Sequence, residues 1–110
     1  ADDDYTGLIA KAAREVSKNH KRVRAVIFGG SGQGEAMVAN RFRGVRAAVY
    51  YGGPEEVIIL SREHNDANIL SLGARFLTMP EAREAVMLWL DTKFTHEMRH
   101  ARRIKDIDAV

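Results

Sequence analysis

A glycine-rich segment carries a hydroxyl and a carboxylate in positions suited to anion chemistry. Its sequence, Gly-Gly-Ser-Gly-Gln-Gly-Glu at residues 29–35, follows the apolar run 23–28, which predicts a buried strand. A helix is predicted from Glu35 to about Arg41. Glycines let successive backbone amides face one hollow, and the positive end of a following helix adds to its attraction for anions. We therefore predict an anion site in this loop, with the Ser31 hydroxyl inside it.

Glu35 ends the loop at a place where a phosphate-binding loop would gain more from a lysine. Because a carboxylate does not attract a phosphate, two interpretations are open. Glu35 is either a general base beside an oxyanion hole or an acid in a first helical turn, where it favours the helix dipole. The residues alone favour the second interpretation, since acids are common in first turns.

Composition narrows the chemistry further. The 110 residues are 45% hydrophobic and 29% charged, which is typical of one globular domain, and they include no cysteine. Disulfides, thiolate zinc sites and cysteine nucleophiles are therefore excluded. His96 and His100 have the i, i+4 spacing of a chelating pair, but Arg99 and Arg103 beside them oppose a cation, so we predict no metal.

Charge and hydropathy bound the partners. The net charge of +2 is too small to indicate a nucleic acid, and no aromatic residue lies between the C-terminal arginines to stack on bases. There is also no apolar run long enough to cross a bilayer. We expect a cytoplasmic protein that binds neither nucleic acid nor membrane.

Alternating helix and strand patterns predict an α/β fold, a three-layer Rossmann-like parallel sheet with helices on both faces. The strands are predicted at residues 23–28, 45–51 and 69–72. Helices are predicted at about 4–18, 35–41, 57–63 and 95–107, and another helix is predicted to follow a capping box at 78–81. Residues 57–60 have strand propensity, but Pro54 and the acids after it are typical of a helix start, so we predict a helix there.

A cap is predicted for the first helix, and a buried face for each of the first two helices. Asp2, Asp3 and Asp4 are expected to cap the first helix. Its buried stripe is predicted to be Leu8, Ile9, Ala12, Ala13 and Val16, and that of the second helix Ala36, Met37, Val38 and Ala39.

Ligands bind open parallel sheets at the carboxyl ends of the strands. The glycine loop, Tyr51 and Arg75 each follow one predicted strand, so we expect them to meet at this edge. Arg75 is either a phosphate clamp or the partner of a surface acid. His64 and Asn65 instead precede a strand, which favours a polar turn that ends a helix, away from the site.

The last predicted helix is strongly basic. Arg99 and Arg103 share a face at i, i+4, with His96 and His100 beside them. This is either a solvated basic face or a site for an anion bound in trans. The missing acidic partners on that stripe favour the anion.

Four blocks of sequence, taken together, resemble the ribose-5-phosphate isomerase type B family, which includes galactose-6-phosphate isomerase subunits. They are residues 30–35 with 39–40 and 44–48, residues 62–68, residues 72–75 and residues 99–104. Members interconvert aldose and ketose phosphates through a cis-enediol without metal or cofactor. Many carry a cysteine base at the position of Gly29, whereas one branch has glycine there and a glutamate at the end of the loop. The resemblance thus implies that Glu35 is the base.

The resemblance implies roles for the other candidates as well. Ser31 would help to stabilise the enediolate, and His64 would help to open the furanose ring. Substrate-binding positions would be Gly30, Gly32, Gln33, Gly34, Asn65 and Tyr5, and phosphate-binding positions Arg75, Arg99 and Arg103. Because family sites are shared across a dimer, the C-terminal helix is expected to reach a partner subunit in a homodimer, with a tetramer as the alternative.

Family members begin with a strand, a loop carrying Asp-His-Ala-Gly, a helix and a second strand. This chain matches only from just before Tyr5, which implies a single isomerase domain over 1–110 that is incomplete at its N-terminus, with an exposed edge on its first strand. The expected reaction interconverts D-ribose 5-phosphate and D-ribulose 5-phosphate. The alternatives are a six-carbon aldose 6-phosphate as substrate, or a non-catalytic sugar-phosphate binding module, which would gain nothing from Glu35.

Overall fold

The computed structural model describes residues 5–110 as five helices and three strands. In chain order they are α1 (Tyr5–Lys18), β1 (Ala25–Gly29), α2 (Gln33–Ala39), β2 (Ala47–Tyr50), α3 (Glu56–Glu63), β3 (Ile69–Gly73), α4 (Met79–Asp91) and α5 (Met98–Asp108). Each predicted helix and strand is present, with ends displaced by a few residues. The predicted cap at Asp2–Asp4 lies outside the described residues.

The three strands form one parallel sheet in the order β1-β3-β2. Ile69 at the start of β3 pairs with both Ala25 and Ala47, so all three strands start in register. All five residues of β3 are buried, as expected for a central strand covered on both faces. Of the described strands, β1 and β2 are the edges of the sheet.

Side chains alternate across β3 and supply two separate cores. Ile69 packs with Ile9 and Val16 of α1 on one face, in a cluster that also includes Ala39 of α2. Leu70 and Leu72 point to the other face and pack against α3 and α4 with Ile58, Ala85 and Trp89. This arrangement confirms the predicted three layers with helices on both faces.

Burial and capping confirm the predicted helices α3 and α4. Ile58 is fully buried in α3, so the run 57–60 forms a helix despite its strand propensity. The capping box of α4 is confirmed, since the amide of Glu81 donates to Thr78 Oγ1 at 3.2 Å and the amide of Thr78 donates to Glu81 Oε1 at 2.8 Å. In the described part of the chain, the helices are too short or too polar to span a bilayer.

Two predicted core residues are on the surface. Leu8 is 72% exposed and Met37 is 66% exposed. The buried residues of α1 are Ile9, Ala13 and Val16, a narrower stripe than predicted, and Leu8 lies beside it. In the short helix α2, the buried face includes Glu35 and therefore turns Met37 outwards.

The adjacent residues Ile9 and Leu8 provide a matched test of this helix orientation. Ile9→Ala should lower the free energy of unfolding by about 2–5 kcal/mol, because it leaves a cavity between α1 and the sheet. Leu8→Ala should change it by less than about 0.5 kcal/mol, since that side chain is exposed. Urea denaturation of both variants measures the difference, and equal destabilisation would contradict the described face of α1.

Candidate functional site

The glycine loop between β1 and α2 is fastened to the central strand. Gly32 has φ +78° and is the N-cap of α2, a conformation that disfavours other residues. Its carbonyl accepts a hydrogen bond of 2.6 Å from the buried Ser71 hydroxyl of β3. The Ser31 hydroxyl accepts from the amide of Gln33 at 3.2 Å and lies within the loop, as predicted.

Glu35 is held inward at the end of β1. It is only 7% exposed, although it lies in the first turn of α2. A Cβ atom added to Gly29 would overlap Cδ and both carboxylate oxygens of Glu35. The carboxylate therefore occupies the space that a side chain at residue 29 would take, and it points at the carboxyl edge of the sheet instead of at solvent.

The loop after β3 contacts the glycine loop directly. The amides of Ala74 and Arg75 donate to the carbonyls of Gly29 and Gly30 at 2.7 and 3.0 Å. The Arg75 guanidinium lies over Gly30, where Nη2 would be 3.1 Å from an added Cβ. Among residues 5–110 it makes no ion pair with a carboxylate, which favours a bound anion over a surface acid.

All three strand ends meet at this edge, as the sequence predicts. A Cβ on Gly73 would press on both the Ser31 carbonyl and the Tyr51 side chain, so the loops after β1, β2 and β3 are packed together there. The Tyr5 hydroxyl, from the start of α1, lies against Gly34 of the glycine loop. We call Tyr5, residues 29–35 and Arg75 the glycine-loop site.

His64 and Asn65 lie at the opposite end of the sheet. They follow α3 and precede β3, so the five-residue strand, roughly 13 Å long, separates them from the glycine-loop site. This position agrees with the prediction that residues preceding a strand lie away from the carboxyl edge of the sheet. Within one chain, the structure does not bring His64 and Asn65 to Glu35. The His64 ring stacks on His100 of α5, with ring centroids 4.0 Å apart and planes 16° apart.

His100 is buried and kept neutral. It is 3% exposed, and its Nε2 is a buried atom without a hydrogen-bond partner in the described chain, 3.5 Å from Glu97 Oε2. Burial lowers the pKa of His100 below its ordinary value of 6.5, and His64, Arg99 and Arg103 lower it further, while Glu97 acts in the opposite direction. Burial and the neighbouring cations therefore both favour the uncharged form of the His100 ring.

The basic helix differs from the sequence prediction in two respects. Arg99 is not without an acidic partner, because its Nη2 lies 3.8 Å from Glu97 Oε1, although both side chains are exposed and such pairs are weak. His96 precedes α5 with φ +62° and packs on Phe94, so it does not share a helical face with His100. The cause is that α5 begins at Met98 instead of Thr95.

Arg103 is exposed, and no carboxylate in residues 5–110 lies within 4.0 Å of it. We call His64, Asn65, Arg99, His100 and Arg103 the histidine cluster. It presents an imidazole, an amide and two guanidinium groups, which suit a phosphorylated polyol. In the described part of the chain, no group of three acidic or histidine side chains is arranged to hold a metal ion.

Sequence reasoning missed two buried arginines that hold this cluster. Arg62 is 1% exposed and donates to the Asp66 carboxylate and the Ala67 carbonyl, both at 2.7 Å. Arg46 donates to the carbonyls of Asn65 and Asp66. For Arg46 the available signal was its position directly before an apolar strand, since buried cations are rare unless they are paired; Arg62 lies inside α3 and has no such position.

A parallel sheet with a buried carboxylate in its glycine loop, and with polar groups gathered where the strands end, defines a Rossmann-like α/β protein with a small-molecule site. The family model described as ribose/galactose isomerase matches residues 1–107 of the chain. The chain belongs to the ribose/galactose isomerase family.

Individual relatives agree with this assignment. Ribose-5-phosphate isomerase B of Mycolicibacterium paratuberculosis is 38% identical over 105 residues, which are 94% of this chain and 64% of that protein. The Mycobacterium tuberculosis protein of the same name is 37% identical over 105 residues, 94% of this chain and 62% of its own length. The chain thus spans slightly less than two thirds of these curated relatives.

Solved structures give the same result for the fold. Ribose-5-phosphate isomerase B of Mycoplasma genitalium, with bound ribulose-5-phosphate, matches with a TM-score of 0.92 and 36% identity over 99% of this chain and 70% of that one. The Thermotoga maritima enzyme matches with a TM-score of 0.87 and 35% identity over 98% of this chain and 72% of its own.

The contact between Gly29 and Glu35 can be tested by a double-mutant cycle on stability. Gly29→Ala should destabilise the protein, because the added Cβ overlaps the Glu35 carboxylate. In a Glu35→Ala background the same change should cost less by about 1–3 kcal/mol, since the overlap is gone. Gly7→Ala is the control, because Gly7 has nothing within 4 Å of an added Cβ and should gain stability from helix propensity. Equal costs of Gly29→Ala in both backgrounds would show that the carboxylate is not held there.

Proposed function

We propose that this chain forms the core of an aldose-ketose isomerase that interconverts D-ribose 5-phosphate and D-ribulose 5-phosphate, with Glu35 as the catalytic base. The observation that carries the proposal is the position of the Glu35 carboxylate over Gly29, in the space where other members of the family carry a cysteine base. The names of the relatives, and the ribulose-5-phosphate bound in the Mycoplasma genitalium protein, support the same substrate.

The groups of the glycine-loop site support a proton transfer through an enediolate. Glu35 takes the proton from C2 of the open-chain aldose and returns it to C1, so that no metal or cofactor is required. The Ser31 hydroxyl and the loop amides from Gly30 to Gly34 donate hydrogen bonds to the oxygen of the enediolate. One such donor typically contributes about 3 kcal/mol in the transition state.

The histidine cluster supplies the remaining roles from a second copy of the chain. His64 assists opening of the furanose ring and Asn65 binds a sugar oxygen, while Arg99 and Arg103 join Arg75 in binding the phosphate. A five-carbon sugar phosphate is too short to reach both ends of β3, a distance of roughly 13 Å. A homodimer with a two-fold axis solves this problem, because each histidine cluster then faces the other chain's glycine-loop site.

The alternatives differ in how they use Glu35. A six-carbon 6-phosphate substrate keeps the same base and the same chemistry, and the family description includes galactose as well as ribose. A binding module without catalysis is less consistent with the structure, because burying a carboxylate beside an anionic ligand weakens binding and costs folding free energy.

Exchange of the C2 proton tests the base directly. In deuterated water, the intact protein should catalyse loss of the C2 proton of ribose 5-phosphate. NMR measures the decay of the C2 proton signal. Glu35→Gln should slow this exchange by roughly 100- to 10,000-fold, because the amide keeps the shape but takes up no proton. Glu84→Gln removes an exposed carboxylate of α4 and should exchange at the original rate. Wild-type exchange that persists in Glu35→Gln would rule out Glu35 as the base.

Mixed dimers test whether two chains share each site. Glu35→Gln and Arg103→Met should each be inactive or strongly impaired. When the two variants are co-expressed at equal levels, half of the dimers carry one site without either mutation, which should restore roughly a quarter of the wild-type activity. Co-purification through two different affinity tags checks that mixed dimers form. If they form and remain inactive, the sites are not shared in this way.

A further inference from the structure

Arg46 is a nearly buried cation that the proposed proton transfer does not use. Its side chain is 9% exposed, and it lies directly before β2, at the end of the sheet that carries the histidine cluster. Its backbone is fixed as well, because its amide donates to Asn68 Oδ1 at 2.8 Å and its carbonyl accepts from the Asn68 amide at 2.9 Å. The guanidinium therefore projects from a rigid anchor.

The guanidinium first holds the turn that follows His64. Nε donates to the Asn65 carbonyl at 2.9 Å, and Nε and Nη2 donate to the Asp66 carbonyl at 3.3 and 3.2 Å. Asp66 has φ +47°, which is unfavourable for a residue other than glycine, so the turn needs such outside support. Arg46 thereby fixes the backbone that carries His64 and Asn65.

The same guanidinium also holds the far end of α5. Nη1 lies 2.9 and 2.8 Å from the two carboxylate oxygens of Asp108, the last residue of the helix. Charge-assisted hydrogen bonds of this length are among the stronger polar contacts in proteins. One side chain thus joins the turn 64–66 to α5, two segments that are more than 30 residues apart in sequence.

The second contact between these segments is the stack of His64 on His100. Asp108 follows His100 by eight residues, which is about 12 Å along a helix. Two contacts at this separation fix the direction of the helix axis, whereas the stack alone would act as a pivot. Arg103 lies between the two contacts, so its position relative to His64 depends on both.

We propose that Arg46 is a positioning residue, which sets the geometry between the imidazole of His64 and the phosphate-binding arginine Arg103. The inference rests on the proposed function for the role of those two groups. It does not make Arg46 a catalytic residue, since Arg46 acts through the Asn65 turn and through Asp108.

Energetics favour positioning over a purely stabilising role. A buried ion pair contributes little net stability, because desolvation of both charges offsets their attraction, and apolar residues of similar size often do as well. Only the planar fork of an arginine joins two carbonyls and a carboxylate at once, and lysine does not reproduce this geometry. The distinctive property of the Arg46 guanidinium is therefore the fixed arrangement that it imposes on the Asn65 turn and on Asp108.

The test uses Asp108→Ala in the intact protein, because Arg46 itself is more deeply buried. The matched control is Asp106→Ala, which removes an exposed carboxylate from the same turn of α5. Steady-state kinetics with ribose 5-phosphate, well below each unfolding temperature, should show KM raised about tenfold by Asp108→Ala, with kcat changed less, as expected when a supporting contact of a binding group is lost. Asp106→Ala should leave both constants unchanged.

Arg46→Lys should resemble Asp108→Ala in its effect on KM and kcat, because it keeps the positive charge and loses the planar fork of the guanidinium.

A second measurement does not depend on catalysis. The imidazole signals of His64 and His100 in proton–carbon NMR report the stack, and they should shift in Asp108→Ala but not in Asp106→Ala. If folded Asp108→Ala keeps both the wild-type KM and the wild-type imidazole signals, the positioning role is overturned. If the wild-type protein shows no turnover, the proposed function fails, and the imidazole signals alone then decide the positioning role.

Discussion

Parallel pairing of β3 with both of its neighbours is the interaction on which the rest of the structure depends. It buries β3 on both faces, separates the two apolar cores and makes the three strands end at one edge. Because Gly29 pairs with Gly73 at that edge, the first and third loops approach closely enough for backbone hydrogen bonds. Strand register therefore brings these loops together, and α1 and α2 add Tyr5 and Glu35 to the glycine-loop site.

The same pairing places the second set of polar groups out of reach. A residue that precedes β3 lies at the amino edge, so His64 is a strand length away from Glu35 in its own chain. In the proposed homodimer, a two-fold axis brings together between chains the groups that the fold separates within one chain. The exposed guanidinium groups of α5, which would otherwise repel one another, are consistent with a phosphate arriving from outside the chain.

The sequence predicts the parts of this molecule that depend on pattern. Hydrophobic periodicity, turn residues and helix-start signals together locate the described elements, and the rule for parallel sheets predicts that Arg75 meets the glycine loop. It does not predict the orientation of single side chains near helix starts. The buried face of α2 includes Glu35 and turns Met37 outwards, and His96 lies before α5, which begins three residues later than predicted. The orientation of Glu35 required both the sequence pattern and the three-dimensional structure. Its residue type favoured a first-turn acid, and only the missing Cβ of Gly29 explains why it turns inward.

The buried polar groups divide according to their hydrogen bonding. Ser71 lies within the sheet and donates to the Gly32 carbonyl. Asn68 donates to the Gly44 carbonyl before β2, and Arg62 donates to the Ala67 carbonyl in the turn before β3. His100 and Trp89 differ from them, because His100 Nε2 and Trp89 Nε1 are buried without a hydrogen-bond partner in the described chain, which is unfavourable for stability. Selection for stability alone would remove this cost with an apolar ring of similar size. One of these two atoms, His100 Nε2, belongs to the ring that stacks on His64, where the proposed reaction needs an imidazole held in one orientation.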